Sequence, residues 1–356
     1  MARLRQRIDQ INQRLVRLLG ERARLAMRIG ALKRDNRSEV YQPARESEVL
    51  ANAIRQNPGP LTDDQVRRIF VEIVSACRAL ERPLRIAYLG PEHTYSHEAA
   101  RAHFGSSAEF LAAPSIPAVF QAIDGEEAGL GVVPVENSTE GSVTLTLDLF
   151  IETPLVIIGE ILMPIRHALL ARGGDPDALR RIVAHQQSLA QCRNYLAANF
   201  PRCELEAVAS NAYAAKLAAD HPDWGAIASV AAATAYGLTV LAENIQDASK
   251  NTTRFLVIGK EPAGRTGRDK TSLLCAIPER AGALHEALGL FARNSINLTM
   301  IQSRPQRSKP WAYLFFVDFQ GHRDDPKVRR VLAALKERAL FLKVLGSYPE
   351  ARSVGV

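Results

Sequence analysis

Two short polar clusters hold the residue types best suited to binding and turning over a small molecule. In the first, the apolar run Leu130 to Val135 empties directly into Glu136, Asn137, Ser138 and Thr139, inside the segment Gly131-Val-Val-Pro-Val-Glu-Asn-Ser-Thr-Glu-Gly-Ser-Val143. Such a run reads as a buried strand, so amides, hydroxyls and a carboxylate gather at its carboxyl end, where α/β proteins bind small ligands. The competing reading is a polar loop whose Asn and Ser cap the next helix. In the second cluster, Asn251-Thr-Thr-Arg-Phe255 leads into Leu-Val-Ile-Gly259, a polar run at the amino end of another strand. Two such clusters in one α/β region imply one cleft. A third set is basic. Arg22 and Lys33 fall eleven residues apart on a helical pattern, about 20° from the same face and about 16 Å along the axis, so two long side chains can converge.

The elements that must position these residues fall into three blocks. Leu4, Ile8, Ile11, Leu15, Leu18, Leu25, Ile29 and Leu32 recur at helical spacing, which predicts one long amphipathic helix over residues 2–35. Shorter helices are expected over 43–56 and 62–80, the latter with Thr62 as N-cap and Asp63 and Asp64 in its first turn. Three helices cannot bury so long a member, so an intertwined dimer is the natural completion. After Pro83, short apolar runs alternate with Ala-rich helices. Strands are predicted at 85–89, 110–112, 130–135, 156–158, 182–184, 205–208, 224–228 and 255–258, too many for one lobe, so two lobes around a cleft are expected. Gly259 to Arg268 reads as a linker. From Lys270 the order is strand 272–277, helix 282–292, strand 297–302, strand 312–319, helix 327–338 and strand 342–344, the ferredoxin-like βαββαβ arrangement.

Composition supports a multidomain enzyme. The 356 residues exceed a typical single core, and 47% hydrophobic with 23% charged residues is ordinary for a globular protein. The net charge of +7 has one source: residues 1–40 hold eleven Lys or Arg against four Asp or Glu, and the remainder sums to zero. The excess lies on an amphipathic helix without aromatics or base-reading loops, which argues against a nucleic-acid partner. Cys77, Cys192, Cys203 and Cys275 lack metal or redox spacing and read as reduced thiols in a cytoplasmic protein. No apolar run is long enough for a membrane span.

Several segments together carry a family resemblance: Leu4-Arg-Gln-Arg-Ile-Asp9, Glu21-Arg-Ala-Arg-Leu-Ala26, Ala44-Arg-Glu46, Tyr88-Leu-Gly-Pro91 with Thr94-Tyr-Ser-His97, Gly131 to Val143, Ala190-Gln-Cys192, Asn251 to Phe255, Gly282-Ala-Leu284 and Ser303-Arg-Pro305. In order and spacing the chain resembles the bifunctional P-proteins, which join chorismate mutase to prephenate dehydratase and end in an ACT regulatory domain. The resemblance implies an all-α three-helix mutase domain at 1–82, a two-lobed α/β dehydratase domain at 83–261 and an ACT domain at 270–350. It implies conversion of chorismate to prephenate and of prephenate to phenylpyruvate, without metal or cofactor.

For the mutase, a concerted rearrangement of a dianion needs charge stabilisation and no nucleophile. By similarity, Arg22 and Lys33 bind the carboxylates and ether oxygen, Arg45 supports the carboxylate site, and Glu46 hydrogen-bonds the substrate hydroxyl. Arg5 lies seventeen residues from Arg22, about 25 Å on a continuous helix, so it serves the pocket of a second subunit. Gln42 stands where the family usually has Asp, Cys77 where it has Ser, and Glu81 where some mutases carry Gln. For the dehydratase, Thr253 is the expected donor to the departing hydroxyl, Asn137, Ser138, Thr139 and Gln191 position the substrate, and Arg254 serves a carboxylate or holds the strand end. Ala184 replaces a Ser of the family's Ser-His-Pro-Gln run, with Ser188 a possible substitute, and His93 replaces a Gly. In the last block, Gly282, Ala283 and Leu284 with Ser303 and Arg304 mark the expected phenylalanine effector site, and Gln302 replaces a Glu. The competing readings are a prephenate or arogenate dehydratase with a degenerate mutase block, and a non-catalytic amino-acid sensor. Retention of Arg5, Arg22, Lys33, Arg45, Glu46 and Thr253 together favours catalysis.

Overall fold

The computed structural model describes residues 1–35, 41–305 and 313–351. The helical period of the first block produces α1 (Ala2–Asp35), α2 (Pro43–Arg55) and α3 (Asp63–Glu81). Thr62 opens α3 with a reciprocal capping box: its Oγ1 accepts from the Gln65 N–H, and its own N–H donates to the Gln65 side chain. α1 packs along α3, burying Ala26 and Gly30. A Cβ at Gly30 would lie 2.9 Å from Glu81 Cβ, so the close crossing of the two helices requires glycine there. Leu4, Ile8, Ile11, Leu15, Leu18 and Leu25 stay exposed, leaving most of the apolar stripe of α1 uncovered within one chain.

The middle block is two lobes. The first contains β1 (Arg85–Leu89), α4 (Tyr95–Phe104), β2 (Glu109–Ala113), α5 (Ile116–Asp124), β3 (Leu130–Asn137), β4 (Gly141–Ser142), α6 (Thr144–Glu152) and β5 (Val156–Pro164). The chain then leaves for the second lobe: β6 (Ala168–Ala171), β7 (Arg181–His185), α7 (Gln186–Gln191), α8 (Arg193–Asn199), β8 (Glu204–Val208), α9 (Asn211–Asp220), β9 (Trp224–Ala228), α10 (Val230–Tyr236) and β10 (Thr239–Glu243). It returns as β11 (Thr252–Gly259), completing the first sheet in the order β2-β1-β3-β11-β5 with β4 beside β3, while the second sheet runs β10-β6-β9-β7-β8. Sequence periodicity misses β6 and β10. β6 is only four residues long and wholly buried, so it shows no alternation, and β10 carries a bulge at Val240/Ala242.

Strand β11 is antiparallel to β3, pairing Thr253 with Asn137 and Gly259 with Leu130. This register decides the site. The carboxyl end of β3 and the amino end of β11 become neighbours, so the two polar clusters meet where the chain crosses between lobes. Both strands run further than their apolar cores, and Glu136, Asn137, Thr252 and Thr253 are strand residues rather than loop residues.

The last block is β12 (Asp269–Ala276), α11 (Ala283–Arg293), β13 (Leu298–Pro305), β14 (Tyr313–Gln320), α12 (Pro326–Arg338) and β15 (Phe341–Pro349), with sheet order β13-β14-β12-β15. Ala312, expected to begin the third strand, lies outside the described residues. One sheet face is covered by α11 and α12 around Leu273, Phe291, Val317, Phe319 and Val331. The other lays Leu274, Phe316, Leu345 and Tyr348 against the first lobe's Ile157, Leu256 and Ile258. Contact there is close enough that a Cβ at Gly346 would sit 2.0 Å from the Ile157 carbonyl oxygen.

Candidate active sites

The helical block brings three of its expected residues together. Lys33 Nζ on α1 lies 3.0 Å from Glu81 Oε2 on α3, the approach that Gly30 permits. Glu46 on α2 faces Lys33 and Glu81; burial raises its pKa, and Arg78 pulls it down only in part. Cys77 is buried in α3, where a thiol is a weaker hydrogen-bond partner than a hydroxyl. The other expected residues stand apart. Arg45 is exposed and paired with Glu48 at 2.5 Å. Gln42 is exposed and precedes α2 without a side-chain cap bond. Arg22 is partly buried, and Arg5 is exposed near the far end of the unbroken α1. Arg78 has no role in the sequence reading. It is 5% exposed and gives both Glu46 oxygens a hydrogen bond, at 2.6 and 2.8 Å.

The second cluster forms a continuous hydrogen-bonded chain across the lobes. Asn137 Nδ2 donates to Thr253 Oγ1 and to Asn251 Oδ1, both at 2.8 Å. Asn137 Oδ1 accepts from Thr139 N–H, Thr139 Oγ1 and Glu140 N–H at 3.0, 2.6 and 3.2 Å, which fixes the turn after β3. Gln191, at the end of α7, accepts from Asn251 Nδ2 at 3.0 Å and donates to Thr139 Oγ1 at 3.2 Å. His167 Nε2 meets Gln191 Oε1 at 2.9 Å, and His167 Nδ1 meets Tyr95 OH at 2.9 Å. Burial lowers the His167 pKa and raises that of Tyr95. A neutral imidazole facing the acceptor Gln191 Oε1 carries its ring proton on Nε2, which leaves Nδ1 as an acceptor beside a Tyr95 hydroxyl that also has the Arg166 carbonyl at 2.7 Å. The Ser138 hydroxyl accepts from Thr252 N–H at 3.0 Å and its N–H donates to the Thr252 carbonyl at 2.9 Å, so it clasps β3 to β11.

Tyr95, His167 and Asn251 complete this chain, yet sequence reasoning gives none of them a role. Asn251 and Tyr95 sit inside the quoted segments, which is a usable signal; His167 is a lone histidine after a strand and offers none. Further contacts close the lobes on one another. Ser229, the N-cap of α10, donates to Glu98 on α4, whose carboxyl burial pushes up to about 7. His93 adopts a left-handed φ of 64° and sets its ring 5.5 Å from Tyr236 of the second lobe. Ala184 is buried, and the Ser188 hydroxyl accepts from Asn211 at 2.8 Å, inside the second lobe.

Arg254 corrects one expectation. Neighbouring strand residues point to opposite faces, so the guanidinium beside Thr253 turns away from the cluster. It is 7% exposed and donates to Asp318 at 2.5 Å, Glu160 at 2.7 Å and Tyr348 OH at 2.9 Å. Burial alone would raise the Glu160 carboxyl, but Arg254 and Lys270 beside it hold it below the usual range. With its donors committed in this way, Arg254 is an interdomain strut and not a substrate carboxylate ligand. Arg304 is engaged likewise. It binds Asp148 on α6 at 3.0 Å, and Gln302, two residues earlier on the same strand face, accepts from Ser142 Oγ at 3.2 Å. Ser303 alternates to the other face and is exposed. Gly282, with φ 82°, is the N-cap of α11, followed by buried Ala283 and half-exposed Leu284.

The chain is thus a three-part α and α/β protein: a helical unit with a Lys–Glu–Glu cluster, a two-lobed unit with a polar interlobe site and a ferredoxin-like unit. Family models match in that order: chorismate mutase type II at residues 4–82, prephenate dehydratase at 86–263 and ACT domain at 271–337. The bifunctional chorismate mutase/prephenate dehydratase of Aquifex aeolicus is 44% identical over 98% of this chain and 97% of its own, and that of Stutzerimonas stutzeri 46% over the same shares. A prephenate dehydratase in complex with L-Phe from Arthrobacter aurescens superposes with a TM-score of 0.70 at 34% identity, covering 75% of this chain and 90% of that one. The chain belongs to the family of bifunctional chorismate mutase/prephenate dehydratases.

Proposed function

We propose that the interlobe cluster is the dehydratase centre, with Thr253 as donor to the leaving hydroxyl of prephenate. The observation that carries this is the 2.8 Å bond from Asn137 Nδ2 to Thr253 Oγ1. A bare hydroxyl is a weak acid; one that already accepts a hydrogen bond becomes a better donor. As the bond from the ring to the carboxylate breaks, carbon dioxide leaves, its electron pair enters the ring, and the opposite carbon–oxygen bond breaks. The departing hydroxide is stabilised by the Thr253 proton, and aromatisation supplies most of the driving force. Asn137, Ser138, Thr139 and Gln191 hold the geometry, and Asn251, His167 and Tyr95 tie Gln191 of the second lobe to the first. Arogenate, with an amino group in place of the keto group, is the alternative substrate.

The mutase site is the Lys33–Glu81–Glu46 cluster with Arg22 and Arg45, completed by Arg5 of the partner subunit. Two features support this. The apolar stripe of α1 is uncovered in one chain, and Arg5 and Arg22 are held apart by an unbroken helix. Functional units at 1–82, 83–261 and 270–350 follow from the same reading. Phenylalanine is the effector, bound near Gly282, Ala283, Leu284 and Ser303 between two ACT domains. The presence of L-Phe on the Arthrobacter relative supports it, as does the direct tie from Arg254, next to Thr253, to Asp318 in β14. Four free thiols fit a cytoplasmic location.

The deciding experiment incubates the protein with chorismate and follows chorismate, prephenate and phenylpyruvate separately, with and without phenylalanine. Sequential conversion that phenylalanine slows is the expected result. Persistence of chorismate with turnover of added prephenate would leave a dehydratase alone, and no turnover of either would leave an amino-acid sensor.

A further inference from the structure

Arg78 is spent on two domains at once. Its Nη1 binds both oxygens of Glu46, at 2.6 and 2.8 Å, and its Nη2 donates at 2.5 Å to the Phe104 carbonyl at the carboxyl end of α4. The guanidinium carbon lies 5.7 Å from the ring centres of both Tyr41 and Phe104, so stacking holds its plane as well. Around it, α3 is seated firmly on the turn that follows α4. Gly105, at φ 74°, packs where a Cβ would lie 2.5 Å from Ser75 Cβ. Ser107 N–H donates to Ser75 Oγ at 3.2 Å, and Ser106 donates through N–H and hydroxyl to Glu72.

We infer that Arg78 is the positioning residue for the mutase carboxylate Glu46, and that it takes its own position from the dehydratase domain through α4. The inference rests on the assignment of Glu46 to the mutase pocket. A carboxylate that must accept a hydrogen bond from the substrate hydroxyl has to be ionised and held at one rotamer. Lys33 from α1, Arg67, Arg78 and Glu81 from α3, Tyr41 ahead of α2 and, behind Tyr41, His103 from α4 are titratable and charged groups on its side of the junction. Of these, only Arg78 grips both Glu46 oxygens among the described residues. Because the other end of the fork binds a dehydratase backbone carbonyl, the mutase pocket is built against the neighbouring domain. The same α4 begins with Tyr95 of the interlobe site, so one helix serves both centres.

The test uses the full chain and the variants Arg78→Met, Arg78→Lys, Glu46→Gln and Arg78→Met/Glu46→Gln, with dehydratase turnover of prephenate as the reporter of a folded junction. Arg78→Met is expected to lower mutase kcat/KM at least tenfold with dehydratase kcat within about twofold of the parent, and Arg78→Lys to fall between. The double variant, which leaves no unpaired charge buried, should be no worse than Glu46→Gln. The discriminating readout is pH. The ratio of mutase kcat/KM for Arg78→Met to that for the double variant divides out what the two share and reports chiefly the titration of Glu46. Its midpoint should lie at least one pH unit above that of the parent to Glu46→Gln ratio, because the cation that favours the ionised form is gone. A mutase-competent Arg78→Met beside an impaired Glu46→Gln would overturn the inference and spare the Glu46 assignment; so would equal midpoints or multiplicative losses. A fully active Glu46→Gln would instead remove the assignment on which the inference stands.

Discussion

Asn137→Asp is the sharpest probe of the dehydratase centre because it changes one group and almost no shape. The acceptor side of Asn137 makes three hydrogen bonds to the turn, from Thr139 N–H, Thr139 Oγ1 and Glu140 N–H, and a carboxylate keeps all three. The donor side reaches Thr253 Oγ1 and Asn251 Oδ1 at 2.8 Å, and there the substitution replaces two N–H groups with an acceptor. The Thr253 proton then turns to the new carboxylate and is withdrawn from the leaving hydroxyl. Loss of one donor aimed at developing negative charge costs about 2.7–4 kcal/mol, or roughly 10²–10³ in kcat. Asn251, 4% exposed, is left with an orphaned carbonyl, for about 1–3 kcal/mol of stability. Steady-state turnover of prephenate is the assay, and mutase turnover of chorismate by the same sample is the internal control. Thr253→Val should lose a similar factor, and the pair together little more, since both changes remove one interaction. Dehydratase kcat within threefold of the parent, or losses that multiply in the double variant, would refute the assignment.

Three other outcomes are expected. Arg254→Met leaves Glu160 and Asp318 buried without their shared cation, which should cost about 3–5 kcal/mol; an unchanged denaturation midpoint would show that the strut is not needed. Glu81 Oε2 lies 3.0 Å from Lys33 Nζ, so Glu81→Gln, which keeps the shape of the pair but not its charge, should change mutase kcat/KM; an unchanged value would remove Glu81 from the chemistry. Burial depresses His97 to about 4 and His103 to about 3, both below the ordinary 6.5. For such groups the neutral form is favoured in the folded state, so stability is full above about pH 6.5 and is lost as pH falls toward 4. His103→Gln, which can still accept from Tyr41, should reduce the slope of stability against pH between 6.5 and 4; an equal slope would assign the loss to other groups.

Local chemistry made much of the architecture legible. The helical period of α1, the capping box of α3 and the strand–helix order of the last block all depend on residues within a few positions of one another, so spacing alone reveals them. The polar ends of β3 and β11 were also visible as abrupt changes from apolar to hydrogen-bonding residues. Edge and very short strands were not, because β6 and β10 draw their order from neighbours distant in sequence.

Composition and spacing were enough to find the three blocks, the two polar clusters and the basic face of a helix too apolar to stand alone. Which side chains face which site is settled by tertiary contacts. Arg254 adjoins Thr253 in sequence, yet strand alternation sends it to Asp318 and Glu160 in the opposite direction. His167 reaches Tyr95 across 72 positions, and Arg78 reaches Glu46 and Phe104 across 32 and 26. Periodicity is a property of short stretches of backbone. Pairing over such separations follows from sheet register and domain docking, which no local pattern contains.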